Sequence, residues 1–156
     1  MRAWRTLVSA TSRLMGTLDA ELQRDCVLAL ADYEVLVHLS EEPGHRARMS
    51  ELAEALDLSP SGLTRRVDRL ARDDLVRRER CPSDRRGSFA VLTPSGYERL
   101  VAAAPSHLHH VRQHFVDRFT PRQLATLADA MSLVMEACPP RGGAVPGPVE
   151  PALAEP

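Results

Sequence analysis

Three times in this chain a hydroxyl residue is followed at once by proline: Ser59-Pro60, Thr93-Pro94 and Thr120-Pro121. Such a pair is a strong helix start. The hydroxyl caps a backbone N–H, and proline lacks only a donor that has no partner in the first turn. Helices are therefore expected from Pro60 to about Arg72, from Pro94 to about Phe119 and from Pro121 to about Ala137. Between the first two lie two short β segments, Val76 to Arg80 and Phe89 to Leu92. The turn formers Cys81-Pro82-Ser83-Asp84-Arg85-Arg86-Gly87 separate them, so the pair reads as a hairpin.

Upstream, Trp4, Leu7, Val8, Leu14, Met15, Leu18 and Leu22 recur at three- and four-residue spacing and predict a helix over residues 3–23. Leu30 to Leu39 reads as a second, more apolar helix, with Asp32 near its start and Pro43-Gly44 beyond its end. Gly44 to Arg48 reads as a loop. Ser50 to Leu56 is a short third helix with Ser50 as its N-cap, and Asp57-Leu58 is a tight turn. Two short helices joined by a tight turn and followed by a hairpin make a winged helix-turn-helix. The expected fold class is mainly α with a small β-hairpin wing, on a helical dimerisation body.

The expected organisation is one domain over residues 1–138, with the winged lobe at about 30–93 and flanking helices at 3–23 and 94–137. The later helices carry Tyr97, Leu100, Val101, Leu108, Val111, Phe115, Phe119, Leu124, Leu127, Met131, Val134 and Met135. One small lobe cannot cover helices of that length, so they are expected to bury against a second copy in a homodimer. From Pro139 onward, six prolines and three glycines in eighteen residues mark a Pro-rich tail, 139–156, expected to be disordered.

Net charge is −1 at pH 7, which argues against a polyanionic partner until the distribution is read. Residues 30–59 hold seven acids against two arginines, a net −5. Residues 60–88 hold nine arginines against five acids, a net +4. Local charge decides where a polyanion docks. All twenty basic residues are arginine, each with a planar head that can bond bidentately.

Other classes are disfavoured. No run of about 18 apolar residues occurs, so no membrane span is expected. Met1-Arg2-Ala3-Trp4-Arg5 does not lead into a secretory h-region. Cys26, Cys81 and Cys138 are odd in number and far apart, which points to a reducing cytoplasm rather than a disulfide framework or a Cys-based zinc site. GxSxG, a Gly-rich phosphate loop and HExxH are all absent, so neither an enzyme nor a cofactor is expected.

The chemistry lies in the middle segment. Leu52, Ala53 and Leu56 can pack against Leu63, Val67 and Leu70, which turns Ser61, Arg65, Asp68, Arg69 and Arg72 outward. A helix end bearing Ser61, Thr64 and Arg65 fits a major groove about 12 Å wide, where arginine bonds guanine O6 and N7 bidentately. Ser59, Pro60, Ser61 and Gly62 place a helix N-terminus and small side chains close to phosphate. Arg85 or Arg86, on a projecting loop, can enter a narrow minor groove. Asp84 then serves to orient a neighbouring arginine.

These residues, with Leu92-Thr93-Pro94-Ser95-Gly96 after the hairpin, resemble the MarR family of bacterial transcription regulators over residues 3–137. The resemblance implies an obligate homodimer on double-stranded DNA, with Pro60, Ser61, Gly62, Thr64 and Arg65 in the major groove. It implies Arg85 or Arg86 in the minor groove, and Asp84 with Arg86 as the wing pair. A repressor of a pseudo-palindromic operator, relieved by a small aromatic effector, is the function expected. The chain departs from the family at Asp57 and Asp74, where glycine is common. Both positions are expected to need a left-handed backbone, which Asp tolerates better than most residues.

Some signals keep two readings. Trp4, Met15, Tyr33 and His38 either wall an effector pocket or pack as plain core. His110 and His114, at i and i+4, either hold a metal with help from Glu34, His38 or Cys26, or form a solvated cluster. Cys26 and Cys81 are either redox-responsive thiols or ordinary small residues. The rival of another class is a winged-helix protein-interaction module, which calls for apolar residues where the outward helix face carries arginine.

Overall fold

The computed structural model describes residues 1–81 and 84–138, with 84–86 described by backbone alone. The tail expected over 139–156 lies outside the described residues. In chain order the elements are α1 (Arg2–Cys26), α2 (Leu30–Glu41), β1 (Arg46–Arg48), α3 (Met49–Ala55), α4 (Pro60–Arg72), β2 (Val76–Cys81), β3 (Asp84–Leu92), α5 (Pro94–His114) and α6 (Pro121–Ala137). Short 3-10 turns stand at Pro43–His45 and Val116–Arg118.

All three hydroxyl–proline pairs start helices. Ser59 Oγ accepts from Gly62 N–H at 3.1 Å, Thr93 Oγ1 from Gly96 N–H at 2.9 Å and Thr120 Oγ1 from Gln123 N–H at 3.3 Å. At the last of these Thr120 N–H donates back to Gln123 Oε1 at 2.9 Å, completing a capping box.

Four expectations are corrected. Arg46–Arg48 is a strand rather than loop: β1 pairs antiparallel with β3, Arg46 opposite Val91 and Arg48 opposite Phe89. Three residues are too few for an alternating pattern to show. Because β1 runs straight into α3, Ser50 is not a cap; α3 starts at Met49 behind Arg48, with no side-chain cap. The hairpin strands reach Cys81 and begin again at Asp84, and the sheet order is β1-β3-β2. α5 stops at His114 instead of near Phe119. Phe115 leaves the helical region (φ −126°, ψ −68°), and Arg112 braces the turn through Asp117 at 3.1 Å.

The core gathers at the winged lobe. Leu22, Val35, Leu36, Leu39, Leu52, Leu63, Val67, Leu70 and Val76 are fully enclosed. Leu52 and Ala53 meet the α4 row of Leu63, Val67 and Leu70 as expected, and Leu56 is half-buried beside them. Each such leucine contributes about 1.5–3 kcal/mol by leaving water. The outer helices differ. α6 buries none of its residues, α1 buries only Leu18 and Leu22, and Trp4, Val8, Leu133, Val134 and Met135 stand exposed.

Asp57 and Asp74 are left-handed, at φ 49° and 57°, as expected. Val27 is left-handed too, at φ 51° and ψ 41°, where it closes α1 by donating its N–H to Gln23 O at 3.0 Å. A β-branched residue suffers most in that conformation, and the Val27 side chain is 76% exposed, so it packs little in return. Val27→Gly is expected to stabilise the fold by about 1 kcal/mol, because relieved strain exceeds the extra backbone entropy of glycine. Thermal unfolding at fixed protein concentration should show a rise in Tm of about 2–4 °C. An unchanged or lower Tm would mean that Val27 carries no strain.

Candidate nucleic-acid interface

α4 presents two unlike sides. Leu63, Val67 and Leu70 are sealed into the core, whereas Ser59, Pro60, Ser61 and Arg65 are exposed and Gly62 and Thr64 half-exposed. At its N-terminus Pro60 has no donor, Gly62 N–H goes to Ser59 Oγ and Leu63 N–H to Ser59 O at 3.0 Å. The Ser61 N–H meets no acceptor among the described residues, so it points a backbone donor at solvent from the positive end of the helix.

The arginines of this segment divide into two sets. Arg65 has no ion-pair or hydrogen-bond partner among the described residues. Asp68, three residues on, accepts from Arg78 of β2 at 2.9 Å, which ties α4 to the wing. Arg69 is on the exposed side of α4, as expected, but its guanidinium is engaged: it bonds Asp32 of α2 at 2.6 and 3.0 Å. Asp32 is 5% exposed and needs a cation to offset its burial. Arg69 thus holds α4 against α2, while Ser59, Pro60, Ser61 and Arg65 form an exposed N-terminal end. Arg66 lies half-buried near Glu34, whose carboxyl is pushed up by burial with the Arg66 charge opposing.

The wing backbone is a regular hairpin with an irregularity at Arg80/Cys81. Arg46 and Arg48 of β1 cover the Phe89 ring, at 4.0 and 5.5 Å from its centroid. Arg77 pairs with Glu79 at 2.9 Å. The side chains of Asp84, Arg85 and Arg86 lie outside the described residues.

No curated protein sequence matches the chain. The model of the MarR family matches residues 28–88. Among solved structures, Sco3205, a MarR family transcriptional regulator from Streptomyces coelicolor crystallised in complex with DNA, is 44% identical. The match covers 89% of this chain and 90% of that one, with a TM-score of 0.84. The chain belongs to the MarR family of transcriptional regulators. AbsC, a MarR family regulator from the same organism, is also 44% identical over 86% of this chain and 90% of its own, at TM-score 0.81. Sco5413, again from Streptomyces coelicolor, is 26% identical over 88% and 93%, at TM-score 0.77. MarR proteins regulate transcription and are not enzymes. No helix among the described residues is long and apolar enough to cross a membrane.

This MarR-family regulator has a cleft of about 310 Å³ between its outer helices and its lobe. Met15, Tyr33 and His38 line it, as expected of pocket residues, together with Glu34, His107 and Val111. Trp4 does not. It lies eleven residues up α1 from Met15, about 16 Å away along a helix, in a separate groove with Phe115 and Phe119. His107 is a wall residue that sequence spacing does not single out. Its ring stands 4.6 Å from that of Tyr33, and burial, followed by the neighbouring His110, pushes its pKa down. Burial also pushes the Tyr33 hydroxyl up.

The His110 and His114 pair meets neither His38, Glu34 nor Cys26. It faces Glu21 and Asp25 of α1. Those two acids are themselves at i and i+4, a spacing that could have flagged them as a matching pair. Cys26 is half-buried against the core, Cys81 is buried at the end of β2, and Cys138 is exposed.

Proposed function

We propose that this MarR-family regulator binds double-stranded DNA as a homodimer and represses a pseudo-palindromic operator whose half-sites lie about 10 base pairs apart. Ser61, Thr64 and Arg65 read bases in the major groove, and Ser59, Pro60 and Gly62 bring the α4 N-terminus against phosphate. Arg85 or Arg86 enters the flanking minor groove with Asp84 orienting it. The observation that carries this reading is the exposed Arg65, which has no partner among the described residues while Asp68, three residues on, is engaged by Arg78. The DNA complex of the 44% identical Sco3205 supports it. The outward face of α4 is arginine and hydroxyl, not the apolar face a protein-interaction module needs.

Release is by a small aromatic ligand in the Tyr33 cleft. Its volume is at the small end of ligand sites. Buried His107 Nδ1 has no partner there among the described residues, an atom that a ligand hydroxyl would satisfy. A ligand at the junction of body and lobe favours a lobe spacing that no longer spans adjacent grooves, a population shift.

The test is a salt series against the DNA upstream of the chain's own coding region and a scrambled control. Tighter binding to the first, falling linearly in log salt, is expected. No binding to either at low salt would sink the reading and favour the protein-interaction rival. In the same assay Arg65→Ala is expected to cost about 1–3 kcal/mol and to relax preference at one base position. Parent-like affinity and specificity would remove Arg65 from the groove.

A further inference from the structure

We propose that Glu21 of α1 and His110 and His114 of α5 bind one divalent first-row transition-metal ion, with Asp25 as the positioning residue for His110. The ligand atoms of the three lie within 4.8 Å of one another, and no other group of this kind occurs among the described residues. This site is separate from both the α4 face and the Tyr33 cleft, and it does not rest on the DNA-binding reading.

His110 is 8% exposed, and its Nε2 stands 2.7 Å from Asp25 Oδ2, whose other oxygen is held by Arg24 at 2.7 Å. With Nε2 turned to that carboxylate, Nδ1 is the ring nitrogen left to bind an ion. It faces Glu21 Oε2 at 3.1 Å, yet both atoms are buried without a hydrogen bond. Two buried polar atoms left unbonded at this distance mark a place that a cation would fill.

The spacing suits an ion. Two atoms each bound at about 2.0–2.1 Å to one tetrahedral centre stand roughly 3.3 Å apart. The Nδ1···Oε2 separation of 3.1 Å is close to that edge, and His114 Nε2 is 2.9 Å from Glu21 Oε1. The two imidazole rings lie nearly parallel, 21° apart, as neighbours one turn apart on α5. Two nitrogens and one carboxylate form a borderline donor set that suits zinc, cobalt, nickel or copper and not magnesium or calcium. An aspartate accepting from the far nitrogen of a ligand histidine fixes its tautomer and raises its basicity. His114 keeps 24% of its side chain exposed, which leaves an entry path and a fourth position for water. The ion would lock α1 to α5.

The chelator-stripped full-length protein should be titrated with Co²⁺ and then Zn²⁺. The expected result is one Co²⁺ per chain with four-coordinate visible absorption, displaced by Zn²⁺, and a rise in Tm with bound metal. Asp25→Asn should weaken binding about tenfold to 100-fold; His114→Ala and Glu21→Gln should weaken it more. His109→Ala, at an exposed neighbour, should bind as the parent does. Circular dichroism establishes that each variant folds, and because Glu21→Gln changes no volume it decides the matter if His114→Ala fails to fold. Substoichiometric binding, or binding that survives Glu21→Gln, would overturn the site. Mg²⁺ binding as tight as Co²⁺ would overturn the assigned metal class.

Discussion

Gly96→Ala is expected to destabilise the protein by about 3 kcal/mol. On an ordinary helix the same change stabilises by about 1 kcal/mol. Here the sign reverses because of what the methyl would meet. A Cβ on Gly96 would stand 2.0 Å from Leu75 O, 2.8 Å from Leu92 Cδ1 and 2.9 Å from Leu75 C. The Leu75 carbonyl cannot retreat. It accepts from Thr93 N–H at 3.1 Å while the N–H of Leu75 donates to Leu70 O at 2.9 Å. Thr93 Oγ1 donates to Asp74 O at 2.6 Å and accepts from Gly96 N–H, so one hydroxyl ties the exit of α4 to the start of α5. Alanine must break this joint or push α5 off the lobe. Thermal unfolding should show Tm lower by about 6–12 °C. A Tm equal to the parent's would mean that the joint opens at little cost.

The joint also shows what could be read from residues and what could not. The Thr93-Pro94 start was legible because capping is local: donor, acceptor and proline lie within four residues. The αL backbone at Asp57, between α3 and α4, and at Asp74, between α4 and β2, was expected from the family resemblance, because a position that glycine suits is one that Asp also tolerates. The partner of Arg69 was not legible because helical spacing gives a direction, not a partner; Asp32 is 37 residues away and meets it only once α2 packs on α4. The acids opposite His110 and His114 were missed for the same reason, being 85 and 93 residues distant. β1 was missed because an edge strand of three residues draws its stability from β3 rather than from its own pattern. The outward end of α4 was legible because a buried row at Leu63, Val67 and Leu70 dictates what faces away.

Leu127→Asp is expected to convert the protein to a monomer and to weaken operator binding by 100-fold or more, the largest binding effect foreseen. α6 carries Leu124, Leu127, Met131, Leu133, Val134 and Met135, and none of its residues is buried. Beside it the N-terminal half of α1 exposes Trp4 and Val8, and an open groove between the two is lined by Leu7, Phe115, Leu127 and Met131. A monomer rarely displays so much contiguous apolar surface. In the proposed homodimer a second copy covers it, because the same face on the twin meets it under a two-fold axis. A carboxylate at the centre of that face has no partner and cannot be desolvated. The consequence for DNA exceeds that of Arg65→Ala. Removing one arginine loses one contact in each half-site, whereas separating the protomers loses the effective concentration that makes the second half-site bind, a factor of about 10²–10⁴. Light scattering should report the halved mass, and the salt slope should fall to about half because one lobe neutralises half as many phosphates. Helix content should hold, since Leu127 is only half-buried within its own protomer. A Leu127→Asp protein that remains dimeric and binds the operator as the parent does would place the interface elsewhere on the body.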